Sequence, residues 1–132
     1  MNKNIFNTIV AVFSGGTAMW ILAGLWHNLV LPFFNKNIEP HHDGIFVMLA
    51  AYYILAALMT YLYAQIPEKG IWSGGLKTGA IVGILWVFPH GLAMAGIHQT
   101  SIMYEIYNTF WHVVEQGAGG IVIAIVSGKI VR

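Results

Sequence analysis

Residues 102–126 read IMYEIYNTFWHVVEQGAGGIVIAIV, and this stretch decides the fold class. It is long enough to cross a bilayer, which takes about 20 mostly apolar residues. Its polar and small residues nevertheless recur every three or four positions, so they share one face of a helix. Those residues are Glu105, Asn108, His112, Glu115 and Gly119. The pattern predicts a membrane-spanning helix whose polar face turns into a helix bundle and away from lipid.

The composition of the whole chain agrees with a membrane protein. The 132 residues are 58% hydrophobic and only 8% charged, and the mean hydropathy is +0.69. A soluble domain carries about 25% charged residues, so this chain could not cover a soluble surface. The net charge of +1 argues against nucleic-acid binding. The absence of cysteine excludes disulfides, thiolate metal sites and thiol catalysis.

Four apolar runs of membrane-spanning length lie along the chain. They occupy about Phe6–Phe33, Gly44–Ile66, Gly75–Ile97 and Ile102–Val126. The runs are continuous rather than alternating, which favours helices over a β-barrel. The connections are short, which favours antiparallel neighbours. The sequence therefore predicts an all-α, up-down bundle of four transmembrane helices, with residues 1–132 forming one integral membrane domain in the lipid bilayer.

Basic residues are distributed unevenly between the two ends of the predicted spans. Five of the six fall on one side, and only Lys36 falls on the other; the five are Lys3, Lys69, Lys77, Lys129 and Arg132. Cytoplasmic loops carry an excess of Lys and Arg. We therefore expect both termini in the cytoplasm, and we expect a bacterial inner membrane as the location.

The first and third spans resemble each other. His27 in the first corresponds to His90 in the third at an offset of 63 residues (90 − 27 = 63), and the Gly16 and Gly79 pair has the same offset. This similarity indicates a possible duplication of a two-helix unit. A chance match between apolar segments is the alternative.

Four ionisable residues within the predicted spans form the candidate site: His27, His90, His112 and Glu115. Ionisable groups are costly in hydrocarbon, so they indicate function by default. Imidazole and carboxylate groups are ligands for Zn, Fe, Mn or Cu. Our first hypothesis is therefore a transition-metal ion or metallocofactor bound in the outer half of the bundle.

A second cluster lies outside the predicted spans, on the outer side. It consists of His41, His42 and Asp43 in the first outer loop, together with His98 at the end of the third span. These residues could form a station through which a metal ion reaches the site. A solvated loop, with Asp43 capping the second helix, is the plainer interpretation.

Other interpretations of the intramembrane residues stay open. His90 and His112 are expected at similar depth, which suits the two axial ligands of haem b or another tetrapyrrole in an electron-transfer or pigment subunit. A proton-coupled small transporter is the third possibility, and a purely structural His–Glu network is the fourth. A small transporter would function as a homo-oligomer or within a larger membrane complex. An enzyme is less favoured, because no catalytic triad, P-loop or dinucleotide motif is present.

Three glycine-spaced segments carry a resemblance to known proteins. They are Gly15–Phe34, the run GLKTGAIVG at Gly75–Gly83, and the run GGIVIAIVSG at Gly119–Gly128. In these segments the chain resembles the small, uncharacterised, four-helix bacterial membrane proteins called DUF1761-like. The resemblance implies a four-helix membrane fold, and it carries no site residue.

Overall fold

The structure, a computed structural model, describes residues 3–30, 32, 44–66, 72–99 and 101–130. These residues form four α-helices and no strand. The helices are α1 at Lys3–Leu25, α2 at Ile45–Ala64, α3 at Ser73–His98 and α4 at Ile102–Ile130. A π-helical segment, Trp26–Val30, continues α1. The predicted all-α bundle is confirmed.

All four helices are long and apolar enough to cross a membrane; the spans are Ile5–Val30, Ile45–Ala64, Ser73–His98 and Ile102–Gly128. Their outward faces carry large apolar side chains, such as Phe46, which is 81% exposed. Soluble proteins rarely expose such continuous apolar surface, whereas lipid solvates it. The chain is therefore an integral membrane protein with the bilayer as its environment.

Helix α4 is the centre of the bundle. It packs along its length against α3 and also against α1, while α2 packs mainly against α1. Between α2 and α3, and between α2 and α4, the packing is slight, and α1 and α3 do not meet within the described residues. The bundle is therefore tight around α4 and loose along the seam between α2 and α3. The duplication of a two-helix unit stays a prediction.

Glycines let α3 and α4 approach until their backbones touch. A Cβ atom on Gly79 would collide with the backbone carbonyl group of Gln116, and one on Gly83 would lie 2.9 Å from the carbonyl oxygen of His112. Small residues permit this close packing, which membrane helices use in place of hydrophobic association. The contact fixes the antiparallel register of the two helices, with Gly83 beside His112.

An apolar core fills the bundle on the side of the chain termini. Met19, Met59 and Ile123 are fully buried there. Gly15 of α1 faces the side chain of Ile123, and Met19, one turn later, faces Gly119. The first and last helices therefore run antiparallel, with both terminal ends on the same side. Glu115 lies two turns beyond Ile123 toward the other end of α4, which places the polar residues directly above a closed apolar layer.

Candidate ion-binding site

Glu115 is the most deeply buried ionisable residue of the site, with 0% exposure in the middle of α4. Its Oε2 atom accepts a hydrogen bond from Nε1 of Trp111 at 3.2 Å. From α2, the Tyr52 hydroxyl group reaches toward the same carboxyl group and interacts with it. Oε1 has no partner at hydrogen-bonding distance among the described residues. One oxygen of the carboxyl group is thus satisfied, and the other is open to a further interaction.

His112 faces that open oxygen. Its Nδ1 atom lies 3.7 Å from Oε1 of Glu115, and it too is buried without a hydrogen-bond partner. The separation exceeds hydrogen-bonding distance, which ends near 3.2 Å. No Lys or Arg side chain pairs with Glu115 in the described part of the chain. Leaving two buried polar atoms unpaired costs about 1–3 kcal/mol each, so the arrangement favours a proton or cation between them.

The π-helical segment brings His27 to the edge of this pair. The ring of Trp26 stacks on that of Trp111, with centroids 4.3 Å apart and planes 11° apart. His27 follows directly and lies within electrostatic range of both Glu115 and His112, although its own side chain is exposed on the bundle surface. Single π-helical turns occur frequently at functional sites, because they re-aim side chains along a helix.

A cavity of about 210 Å³ adjoins the site between α2, α3 and α4. Its lining residues are Met48, Ala51, Tyr52, Leu55, Trp86, His112 and Gln116. The side chain of His112 is 20% exposed, yet its Nδ1 atom is fully buried and faces Glu115. The imidazole ring therefore stands between the buried carboxyl group and the cavity.

The structure brings three of the four predicted site residues together: Glu115, His112 and His27. The fourth, His90, is exposed on α3. Its neighbour Gly91 faces Glu105, whereas His112 lies beside Gly83. His90 is therefore about two turns, or about 10 Å, nearer the α3–α4 connection than His112 is.

The expectation that His90 and His112 share one depth is wrong. It aligned the midpoints of the two apolar runs, whereas in the structure Gly83 lies beside His112 and Gly91 beside Glu105. Glycine contacts between the helices, not the run midpoints, fix the register. Haem ligation by this pair of histidines gains no support from the geometry.

The remaining predicted ligands do not join this site. His98 is exposed at the end of α3, and His41, His42 and Asp43 lie outside the described residues. Among the described residues, no group of three or more His, Asp or Glu side chains is arranged to hold a metal ion. A metal centre would therefore need side chains to move, or a ligand from elsewhere.

Three uncharged residues also belong to the site, and the pattern of ionisable residues in the sequence did not predict them. Trp111 donates to Glu115 from one helical turn away, a spacing of i, i+4 that the sequence does contain. Gln116 is almost completely buried, and its unpaired Oε1 atom points toward Gly83. Tyr52 has no sequence signal, because its contact depends on how α2 is placed.

The chain was also compared with known proteins. No family model, curated protein or solved structure matches it. The resemblance to DUF1761-like membrane proteins accordingly stays a prediction, and the role of the site rests on its own geometry.

Proposed function

We propose that the protein is a proton-coupled transporter of a small solute, with Glu115 as its proton-binding carboxyl group. One observation carries this proposal: an unpaired oxygen of a fully buried glutamate faces an unpaired imidazole nitrogen of His112 at 3.7 Å. Chains of His and acidic residues within the membrane are the usual parts of proton relays in pumps and transporters.

The cost of burying an unpaired carboxylate couples loss of the proton to uptake of a cation. A carboxylate ion without a compensating charge is very costly in a low-dielectric interior, so it binds a proton or a cation. A single proton shared by Glu115 and His112 leaves the pair neutral overall and satisfies both unpaired atoms after a small approach of the two side chains. Loss of that proton leaves a bare carboxylate, which favours uptake of a cation in its place.

His112 gives this proton a route. An imidazole ring has two nitrogen atoms, so it can accept a proton at one and release it from the other. Nδ1 faces Glu115, and the exposed part of the ring borders the cavity. The proton thus passes between Glu115 and the cavity through His112, while the apolar layer around Met19 and Ile123 blocks the direct path toward the chain termini.

Infrared spectroscopy of the protein in mild detergent tests the proton-binding role. We expect acidification to produce a carboxyl C=O band from Glu115 that is absent in Glu115→Gln. The matched control is Glu105→Gln, which neutralises the other buried glutamate of the same helix. The proposal fails if Glu115→Gln keeps the band that Glu105→Gln loses, or if no carboxyl band responds to pH in the wild type.

A metal ion at the same pair is the second candidate, and the same two unpaired atoms favour it. Zinc bonds to His nitrogen and carboxylate oxygen are about 2.0–2.2 Å long, so the two ligands of one tetrahedral ion lie a little over 3 Å apart. The 3.7 Å gap between Nδ1 of His112 and Oε1 of Glu115 is close to this. His27 is the nearest further imidazole and would have to turn inward.

Elemental analysis of protein purified without chelators tests the metal candidate. A stoichiometric metal that is lost in both His112→Ala and His27→Ala would support it. Metal that survives His112→Ala, or a wild type without metal, would refute it. The control is His98→Ala, because His98 is exposed at the end of α3, about four turns beyond Gly83, which lies beside His112.

A further inference from the structure

We infer that the cavity between α2, α3 and α4 binds a lipophilic monocation of single-ring size, which enters sideways from the lipid and displaces the proton held by His112 and Glu115. This inference rests on the proposed function and adds the chemical class of the solute and its route.

The size and lining of the cavity limit its occupant. An apolar cavity of about 150 Å³ is large enough for benzene, so about 210 Å³ accommodates one ring with a short substituent. Most of the lining is hydrocarbon or aromatic, with Met48, Ala51 and Leu55 along α2. These surfaces favour an apolar body over a sugar or a hydrated ion.

The charge around the cavity selects a cation. Two aromatic side chains, Tyr52 and Trp86, line it, and aromatic rings attract cations through their electron-rich faces. Glu115 lies immediately behind His112 and interacts with Tyr52. No Lys or Arg among the residues that the structure describes lines the cavity. An anionic solute would therefore face the buried carboxyl group with nothing to balance its charge.

The loose seam between α2 and α3 provides the route. Met48 and Trp86 line the cavity from these two helices and are also exposed on the outer surface of the bundle, where lipid lies. Packing between α2 and α3 is slight. A solute dissolved in the lipid can therefore reach the cavity without crossing the tightly packed α1–α4 and α3–α4 interfaces, which explains why a lipophilic body suits the site.

The exchange conserves charge. In the empty state one proton is shared by His112 and Glu115, and the pair is neutral. When a monovalent cation enters beside His112, the proton passes through the imidazole ring to water, which accepts it, and the carboxylate of Glu115 then balances the charge of the bound cation. One proton is released for each cation bound, and no covalent bond is made or broken apart from that to the proton.

The test compares two probes of the same shape, benzyltrimethylammonium and its neutral isostere neopentylbenzene. Binding to the purified protein in weakly buffered detergent is followed by tryptophan fluorescence, and proton release by a pH indicator. We expect the cation to bind about tenfold more tightly than the neutral probe and to release about one proton. Equal binding of the two probes, or cation binding without proton release, would overturn the inference.

A pair of variants on α2 separates this inference from the proposed function. Ala51→Phe puts a ring into the cavity, whereas Ala57→Phe adds the same ring at an exposed position that does not line it. We expect only Ala51→Phe to abolish probe binding, and we expect both variants to keep the infrared band of Glu115. If Ala51→Phe binds the probe as Ala57→Phe does, the cavity assignment is wrong while the proton-binding role stands. Loss of the band in the wild type would instead defeat the proposed function.

Discussion

The indole N–H of Trp111 donates a hydrogen bond to Glu115 Oε2 at 3.2 Å, one turn along the same helix. The same indole ring stacks on Trp26 of the π-helical segment. The orientation of the buried carboxyl group is therefore tied both to its own helix and to the end of α1. A change in the α1 end would be transmitted to Glu115 through a single side chain.

Trp111→Phe should uncouple these two contacts. Phenylalanine keeps an aromatic ring against Trp26 but removes the donor, so Oε2 of Glu115 loses its partner in a buried position. We expect the free energy of unfolding in detergent to fall by about 1–3 kcal/mol. The control is Trp72→Phe at an exposed position. Similar thermal shifts in the two variants would show that the hydrogen bond contributes nothing specific.

Gly79→Ala should force α3 away from α4. The new methyl group would collide with the backbone of Gln116, which cannot move aside as a flexible side chain does. We expect destabilisation of about 1–3 kcal/mol or more, together with loss of the infrared response of Glu115. Gly96→Ala, on the same helix, meets nothing within 4 Å and should be neutral or slightly stabilising. The measurement is the thermal unfolding midpoint of both variants. Equal midpoints would contradict the close backbone contact between α3 and α4 at Gly79.

Gln99→Gly should stabilise the connection after α3. Gln99 caps this helix in the left-handed conformation with φ of 54°, which costs a residue with a Cβ atom about 1 kcal/mol or more. Glycine adopts this conformation freely, although its more flexible unfolded chain offsets part of the gain. We expect a small rise in the unfolding midpoint. Gln99→Ala should leave the unfolding midpoint unchanged. An equal rise in that variant would show that relief of the left-handed conformation is not the cause.

Cysteine labelling tests the predicted orientation, and the chain contains no cysteine to interfere. Gln99 and Ser73 are exposed at opposite ends of α3. Because the basic residues predict cytoplasmic termini, Gln99→Cys should react with an impermeant maleimide on intact cells. Ser73→Cys should react only after the membrane is opened. The reverse pattern would place the site in the inner half of the bilayer.

The sequence was sufficient to predict the helices and the face of α4 that carries the site. The continuous apolar runs gave four helices, and the three-to-four-residue spacing from Glu105 to Gly119 predicted a face that is in fact turned inward. Ile106, Phe110 and Val114 on the other side are exposed toward lipid. Such periodicity is local information, which a single sequence contains.

What the sequence could not give is the relation between helices. The depth of His90 relative to His112 depends on backbone contacts at Gly83 and Gly91, which are properties of the packed pair. Tyr52 interacts with Glu115 only because α2 packs on α1 and also contacts α4. Nothing in either helix alone specifies these contacts, so the sequence predicted the carboxyl group and the imidazoles of His112 and His27 but not the other groups that surround them.

The central position of α4 has a consequence for how the protein is made. Chains enter the membrane as they are synthesised, N-terminal segments first, and α4 is both the last of the four described helices and the least apolar of them. Its buried glutamate raises the free energy of membrane insertion, because an acidic residue at the helix centre costs roughly 2.5–3.5 kcal/mol in insertion experiments. Until α4 is inserted, Gly75, Gly79 and Gly83 of α3 lack the helix against which they pack, and the Tyr52 hydroxyl group lacks the Glu115 carboxyl group. Packing of the four described helices is therefore completed only when α4, the helix that contacts both α1 and α3 along its length, joins the three that precede it.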